Sequence, residues 1–184
     1  MPRMQPVNPQ TATGRAKELL DSVQKKYGMT PNLSRTLANS PAVLESYLGF
    51  GALDGGALSP ALREQIALTV SEINGCDYCL AAHTAIGKMV GLSQEQIRRS
   101  REASSADRRE EAALRFAKAI VDKKGWVSDE DVAWVRRADY NDGEIAEIVA
   151  NVVKNIFTNY FNHVAQTEVD FPAAPQLGRD ARSA

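Results

Sequence analysis

Two cysteines and a histidine carry the sharpest chemical signal in the chain, in the run Cys76-Asp77-Tyr78-Cys79-Leu80-Ala81-Ala82-His83. On a helix turning about 100° per residue, Cys76, Cys79 and His83 fall at roughly 0°, 300° and 340°, so two sulfurs and an imidazole share one face. Tyr78, at roughly 200°, points away from it. Cysteines three apart at a helix start have Cα atoms about 5–6 Å apart, within reach of an intrahelical disulfide. The pair can therefore cycle between dithiol and disulfide. The attacking species would be a thiolate, and a free cysteine with a pKa of about 8.5 is mostly protonated near neutrality. Two features act to lower that value, and they nominate different sulfurs. The helix N-terminus lies closest to Cys76, whereas His83, one turn beyond Cys79, can take the Cys79 proton and hydrogen-bond its thiolate. A base within hydrogen-bond reach is the more specific device, which favours Cys79 as nucleophile and Cys76 as resolving thiol.

The same atoms admit other readings. Two cysteines and two histidines are the whole inventory of these types, so Cys76, Cys79, His83 and His163 compose a possible Cys₂His₂ zinc site. Against zinc, a C-x2-C-x3-H on one helix departs from zinc-finger spacing, and His163 lies 80 residues beyond His83. A third reading is a non-enzymatic module that senses oxidants through the pair. In a reducing compartment, a lone C-x-x-C reads as redox-active or metal-binding rather than structural.

The elements that must position these residues are helical. Ser59-Pro60 supplies a capping hydroxyl and a first-turn proline before ALREQIALTVSEI, and Asn74-Gly75 tolerates the left-handed backbone where that helix should stop. Ile66, Val70 and Ile73 mark its apolar face, with Glu64 nearly opposite; spacing does not single out Glu64 over Glu72. The next helix is predicted to start at Cys76 and run to Gly91. Ser93 with Gln96 forms a capping box for another, Asp107 caps EEAALRFAKAIVDK, and Ser128 opens DEDVAWVRRA. Beyond Asp142 runs the longest apolar stripe: Ile145, Ile148, Val149, Val152, Val153, Ile156, Phe157, Tyr160 and Val164. Asn159 and His163 lie on that helix, near the pocket, at a subunit contact, or as structural hydrogen-bonding groups. Trp126 and Trp134 read as packing or interface residues. Alternating strand patterns are missing, so the fold class is all-α, a single-domain helical bundle. Residues 1–12, with three prolines, read as a flexible arm, 13–170 as the folded domain, and 171–184 as a flexible tail.

Composition narrows the function classes. The 184 residues are 43% hydrophobic, enough for one domain with its own core. Lys plus Arg total 22 against 23 for Asp plus Glu, so no bulk field draws the chain to nucleic acid or anionic lipid. The first residues contain no apolar signal region and no stretch is long and apolar enough to span a membrane, so a cytoplasmic location is expected.

The stretch from Pro41 to Leu92, with E-x11-C-x2-C-x3-H inside it, resembles the core of the alkylhydroperoxidase D-like, carboxymuconolactone decarboxylase superfamily, in its peroxidase-related branch. The later NYFNHVAQTEVDFP from Asn159 resembles the closing segment of the same group. The resemblance implies an all-α bundle assembling as a homo-oligomer, trimer or hexamer favoured. It also implies a proton relay of Glu64 and His83 around the peroxidatic Cys79, with Cys76 resolving. Many relatives have histidine where this chain has Tyr78. The implied activity is a thiol-dependent hydroperoxidase or disulfide reductase acting on organic hydroperoxides, in antioxidant defence. It would use no bound cofactor or metal, and would be re-reduced by an external dithiol such as lipoamide or a thioredoxin-like protein, with a peroxiredoxin as a further possible partner. Decarboxylase members lack the cysteine pair, so keeping both argues against that activity.

Overall fold

Side-chain caps set the helix boundaries in the computed structural model, which describes residues 1–177. Ser59 Oγ accepts from Leu62 N at the start of Pro60–Ile73, Asp107 caps Arg108–Asp122 through the amides of Arg109 and Glu110, and Ser93, Ser128 and Asn141 each close a capping box. The order is α1 (Gly14–Tyr27), α2 (Asn32–Leu37), α3 (Pro41–Gly49), a 3₁₀ turn (Phe50–Gly55), α4 (Pro60–Ile73), α5 (Asp77–Met89), α6 (Gln94–Arg101), α7 (Arg108–Asp122), α8 (Asp129–Arg136) and α9 (Asp142–Ala165). No strand occurs among the described residues, and the all-α expectation holds. Gly75, at φ +64°, turns the chain between α4 and α5, a conformation that glycine adopts without a Cβ penalty.

Helix α4 is the hub, packing against α5, α6, α7 and α9. That position explains why it departs from the one-faced helix predicted. Ile66, Leu68 and Val70 are fully buried, and so are the polar Gln65, Thr69 and Ser71 between them. Each polar group needs a partner: Thr69 Oγ1 donates to the Ser100 carbonyl at 2.6 Å, and Gln65 Nε2 donates to Glu110 at 2.9 Å. One apolar cluster joins α4 to α7, α8 and α9 through Ile66, Leu114, Val135, Ile148 and Val152. A second joins α1, α2 and α3 to the cysteines, with Leu20, Leu37, Leu44, Cys76, Tyr78 and Cys79. The run from Cys76 to Cys79 therefore belongs to the second cluster, on a helix packed against α4.

Parts of the terminal segments read as loose, and the residues just before the second, make contacts with the domain. Arg3 N donates to the Ala165 carbonyl at 2.8 Å, Val7 N to Arg35 O at 3.0 Å, and Asn39 Nδ2 to Gln5 O at 2.8 Å. Prolines cost those segments donors, but the amides between them find acceptors. After α9, Glu168 O and the Asp170 carboxylate accept from Asn32, Phe171 packs edge-on to Tyr78 with ring centroids 5.8 Å apart, and Pro175 O accepts from Arg101. Residues 178–184 of the expected tail lie outside the described residues.

Candidate active site

Cys76 is the N-cap residue of α5 rather than its first helical residue, with φ −95° and ψ 95°. Its carbonyl accepts from Leu80 N at 2.9 Å, so the helix proper begins with Asp77. Cys79 follows one turn in, and both thiols are free and buried. Cys79 sits in the wall of a cavity of about 470 Å³ that His83, Glu64 and Tyr78 also line.

Around the Cys79 sulfur the donors converge. Asn162 Nδ2 on α9 donates to Sγ at 3.2 Å and the Cys76 thiol is a further donor, while Thr158 Oγ1, which donates to the Asn155 carbonyl, accepts from the Cys79 thiol at 4.0 Å. These set the two cysteines apart. The Cys76 hydrogen bond, the charge of His83 and the amides of Asn162 and Asn159 favour the Cys79 thiolate. Together they outweigh its burial, and the Cys79 pKa falls below that of an ordinary thiol. Cys76 moves the other way, because donating to Cys79 and being buried both hold its proton in place. The two thiols therefore differ in acidity, with Cys79 the more readily ionised.

Glu64 and His83 meet: Nδ1–H donates to Glu64 Oε2 at 2.7 Å, with each side chain 17% exposed. A carboxylate accepts only, which fixes Nδ1 as the donor and leaves Nε2 to exchange a proton. Burial works against the charged imidazole. The charge and hydrogen bond of Glu64, assisted by the Cys79 thiolate, overcome it, and the His83 pKa rises. The helical wheel put Glu64 opposite the apolar face of α4, in solvent. That face is covered by α5, because the hub helix has neighbours on several sides.

Other residues fall differently. Asn159 is fully buried and joins α9 to the α4–α5 turn, accepting from Asn74 Nδ2 at 2.8 Å and donating to Ser71 Oγ at 3.4 Å. His163 is exposed and stacks on Tyr160, so it does not join Cys76, Cys79 and His83. No cluster of three or more His, Cys, Asp or Glu side chains is arranged to hold a metal among the described residues. Tyr78 packs into the domain and its hydroxyl accepts from Leu33 N at 3.1 Å. Its desolvated phenol is pushed above its usual range, consistent with a wall residue. Trp126 is 88% exposed, and Trp134 lies beside Arg115 and Arg137.

Asn162 and Lys154 are the site residues the sequence reading missed. The signal was present: Asn151, Asn155, Thr158 and Asn162 recur on one face of α9 at spacings of three and four, and all four are buried. The apolar stripe drew attention instead, yet Val149, Val153, Tyr160 and Val164 within it are exposed.

Residues 41–119 match the model of the Carboxymuconolactone decarboxylase family. No curated protein matched the sequence. Among solved structures, a peroxidase-related protein from Silicibacter sp. TM1040 is similar at 22% identity, with a TM-score of 0.80 over 96% of this chain and 97% of its own. A peroxidase-related alkylhydroperoxidase core protein from Ralstonia eutropha JMP134 is similar at 23% identity, with a TM-score of 0.81 over 92% of both chains. A variant of the debrominase Bmp8 in complex with 2,3,4-tribromopyrrole is similar at 20% identity, with a TM-score of 0.78 over 91% of both. At these identities the likeness is one of fold. No helix among the described residues is long and apolar enough to cross a membrane. Residues 41–119 are thus similar to the Carboxymuconolactone decarboxylase family, and the fold around them is similar to that of the peroxidase-related structures.

Proposed function

We propose that the chain is a thiol-dependent hydroperoxidase and disulfide reductase acting on organic hydroperoxides in a reducing compartment such as the cytoplasm. The observation that carries this reading is the Cys79 sulfur in a cavity wall, under the Asn162 amide and beside a histidine held by Glu64. In the first step the Cys79 thiolate attacks the distal peroxide oxygen and the O–O bond breaks. The thiolate becomes a sulfenic acid, and the departing alkoxide takes the proton of the His83 imidazolium to leave as alcohol. In the second, the Cys76 sulfur displaces hydroxide from the sulfenic acid. The Cys76 proton joins it through His83, water leaves, and a disulfide remains. A dithiol such as lipoamide, or a thioredoxin-like protein, restores both thiols by exchange and is itself oxidised. No bound cofactor or metal is required, and a peroxiredoxin is a further candidate partner for the dithiol form.

An oxidant sensor would need the reactive pair but not the cavity beside it, whose wall includes Leu33, Tyr47, Ile86 and Phe171, which favours turnover. The zinc reading lacks its fourth ligand, since His163 faces solvent. Decarboxylation gives no role to either thiol. Assembly as a homo-oligomer, trimer or hexamer, is supported by Val149, Val153, Tyr160 and Val164, exposed along one side of α9.

The test is intact mass before and after one equivalent of cumene hydroperoxide. A loss of about two mass units, reversed by dihydrolipoamide and absent in Cys79→Ser, is expected. In Cys76→Ser the oxidised product is a sulfenic acid instead, 16 mass units heavier and trapped by dimedone. Unchanged mass in the wild type, or turnover that survives Cys79→Ser, overturns the reading.

A further inference from the structure

Two cations that the peroxide chemistry does not use, Arg63 and Lys154, line the cavity. Lys154, on α9, is half-buried and lines both the main cavity and a smaller adjoining one of about 210 Å³. The two carboxylates whose charge reaches it are committed elsewhere. Asp54 takes Lys26 at 3.1 Å and Arg63 at 3.6 Å, while Glu64 takes His83 at 2.7 Å. Arg63 is likewise occupied, donating to the carbonyls of Leu53 and Leu58. Among the described residues, Lys154 is left with no carboxylate within salt-bridge distance. Burial pulls its pKa below that of an ordinary lysine, the mark of a charge kept where the fold gains nothing from it.

The wall is mixed, with Asn151, Asn155 and Thr158 on the α9 side and an apolar and aromatic part elsewhere. Leu33, Tyr47, Ile86 and Phe171 line the same cavity. Along α9, Lys154 is two turns, about 12 Å of axial rise, from Asn162, the residue that donates to Cys79. The cavity therefore offers an apolar patch of wall, with the Cys79 sulfur at one place and an ammonium without a carboxylate partner at another.

We propose that Lys154 is an anion subsite and that the substrate is an amphipathic acid: an organic hydroperoxide with an apolar body and a carboxylate that Lys154 receives. This rests on the hydroperoxidase reading for the reacting group and on the cavity alone for the carboxylate. Lys154 touches the non-reacting end of the substrate and takes no part in O–O cleavage, so it sets specificity.

The test separates binding from chemistry. Calorimetry on the reduced protein compares octanoate with octanamide, which differ in charge and little in shape. A charge-assisted hydrogen bond to a half-buried ammonium predicts octanoate tighter by about 10- to 100-fold. Lys154→Met should bring that ratio to about one, and Lys154→Arg should restore most of it. The acid-to-ester ratio of single-turnover thiol loss, measured with a fatty-acid hydroperoxide and its methyl ester, should follow the same pattern. Equal binding of octanoate and octanamide by the wild type overturns the subsite, and this comparison needs no variant to fold. A preference that survives Lys154→Met overturns the assignment to Lys154. Loss of acid and ester turnover in equal proportion in that variant assigns the lysine to the field of the thiolate and overturns the proposal too. Should cumene hydroperoxide leave both thiols unoxidised, the hydroperoxidase reading falls while the octanoate comparison still decides the subsite.

Discussion

Asn162→Leu divides reactivity from stability more cleanly than any other substitution in the site. The leucine keeps the volume and removes two things: the amide donor held 3.2 Å from Cys79 Sγ, and the buried Asn162 Oδ1, which has no hydrogen-bond partner. A hydrogen bond to a charged acceptor contributes about 1.5–3 kcal/mol. The Cys76 thiol and the His83 charge still serve the thiolate, so the lower end applies, and about 1.4 kcal/mol is a tenfold loss of thiolate at a pH below both titrations. Nucleophilicity offsets part of it. With a Brønsted slope of about 0.45, the more basic thiolate reacts about threefold faster once formed, so the net fall at low pH is about threefold. The iodoacetamide alkylation rate of Cys79, followed from pH 5 to 10 by peptide mass, should therefore give two curves that cross. The variant is slower on the acid side, faster on the alkaline side, and its midpoint is displaced upward. Thermal stability should hold or rise, because an unsatisfied buried carbonyl has been removed. Superimposable pH profiles would refute the assignment of Asn162 as one of the groups that lower the Cys79 pKa, and so would a variant slower by the same factor at every pH.

Glu64→Gln should slow peroxide oxidation and alter the dependence of stability on pH. The raised His83 pKa contributes stability that is fully present below the unfolded value near 6.5 and is lost as pH rises through the folded one. The variant should accordingly melt several degrees lower, about 3–6 °C for a loss of about 1.5 kcal/mol, near pH 6, with the gap closing towards pH 9. Gly56→Ala should destabilise the segment before α4. Its Cβ would lie 2.5 Å from the Glu147 carboxylate, which accepts from the amides of Ala57 and Leu58; faster proteolysis near that turn would report it. Val153→Asp introduces a charge into the exposed stripe of α9 and should lower the mass seen by light scattering if that stripe is a subunit contact; an unchanged mass would remove it from the interface.

What was legible in the sequence was local. Caps, prolines and glycines fixed most helix boundaries, because each acts within four residues of itself. The common face of Cys76, Cys79 and His83 follows from helical spacing alone. Glu64 needed the family resemblance, since a wheel assumes that a helix has one buried side and α4 has several. Asn162 and Lys154 were out of reach for another reason. Their roles depend on how α9 is rotated against α4 and α5, and its apolar stripe gave a misleading orientation. The same limit hid the docking of the terminal segments, whose partners lie far away in the chain: Asn32 and Asp170 are 138 residues apart.

The distances in sequence between the parts of the site set the order in which a growing chain can assemble them. Glu64 and His83 are 19 residues apart and can meet as soon as α4 and α5 have emerged, whereas the Asn162 donor to Cys79 comes 83 residues later. At about 5–20 residues per second of translation, roughly 4–17 seconds separate the Cys79 codon from that of Asn162. Throughout that interval the nascent cysteine lacks the Asn162 amide. The ring of Phe171, in the wall of the cavity, arrives later still. The last donor to Cys79 and the last part of the cavity wall are thus made close together, at the end of synthesis.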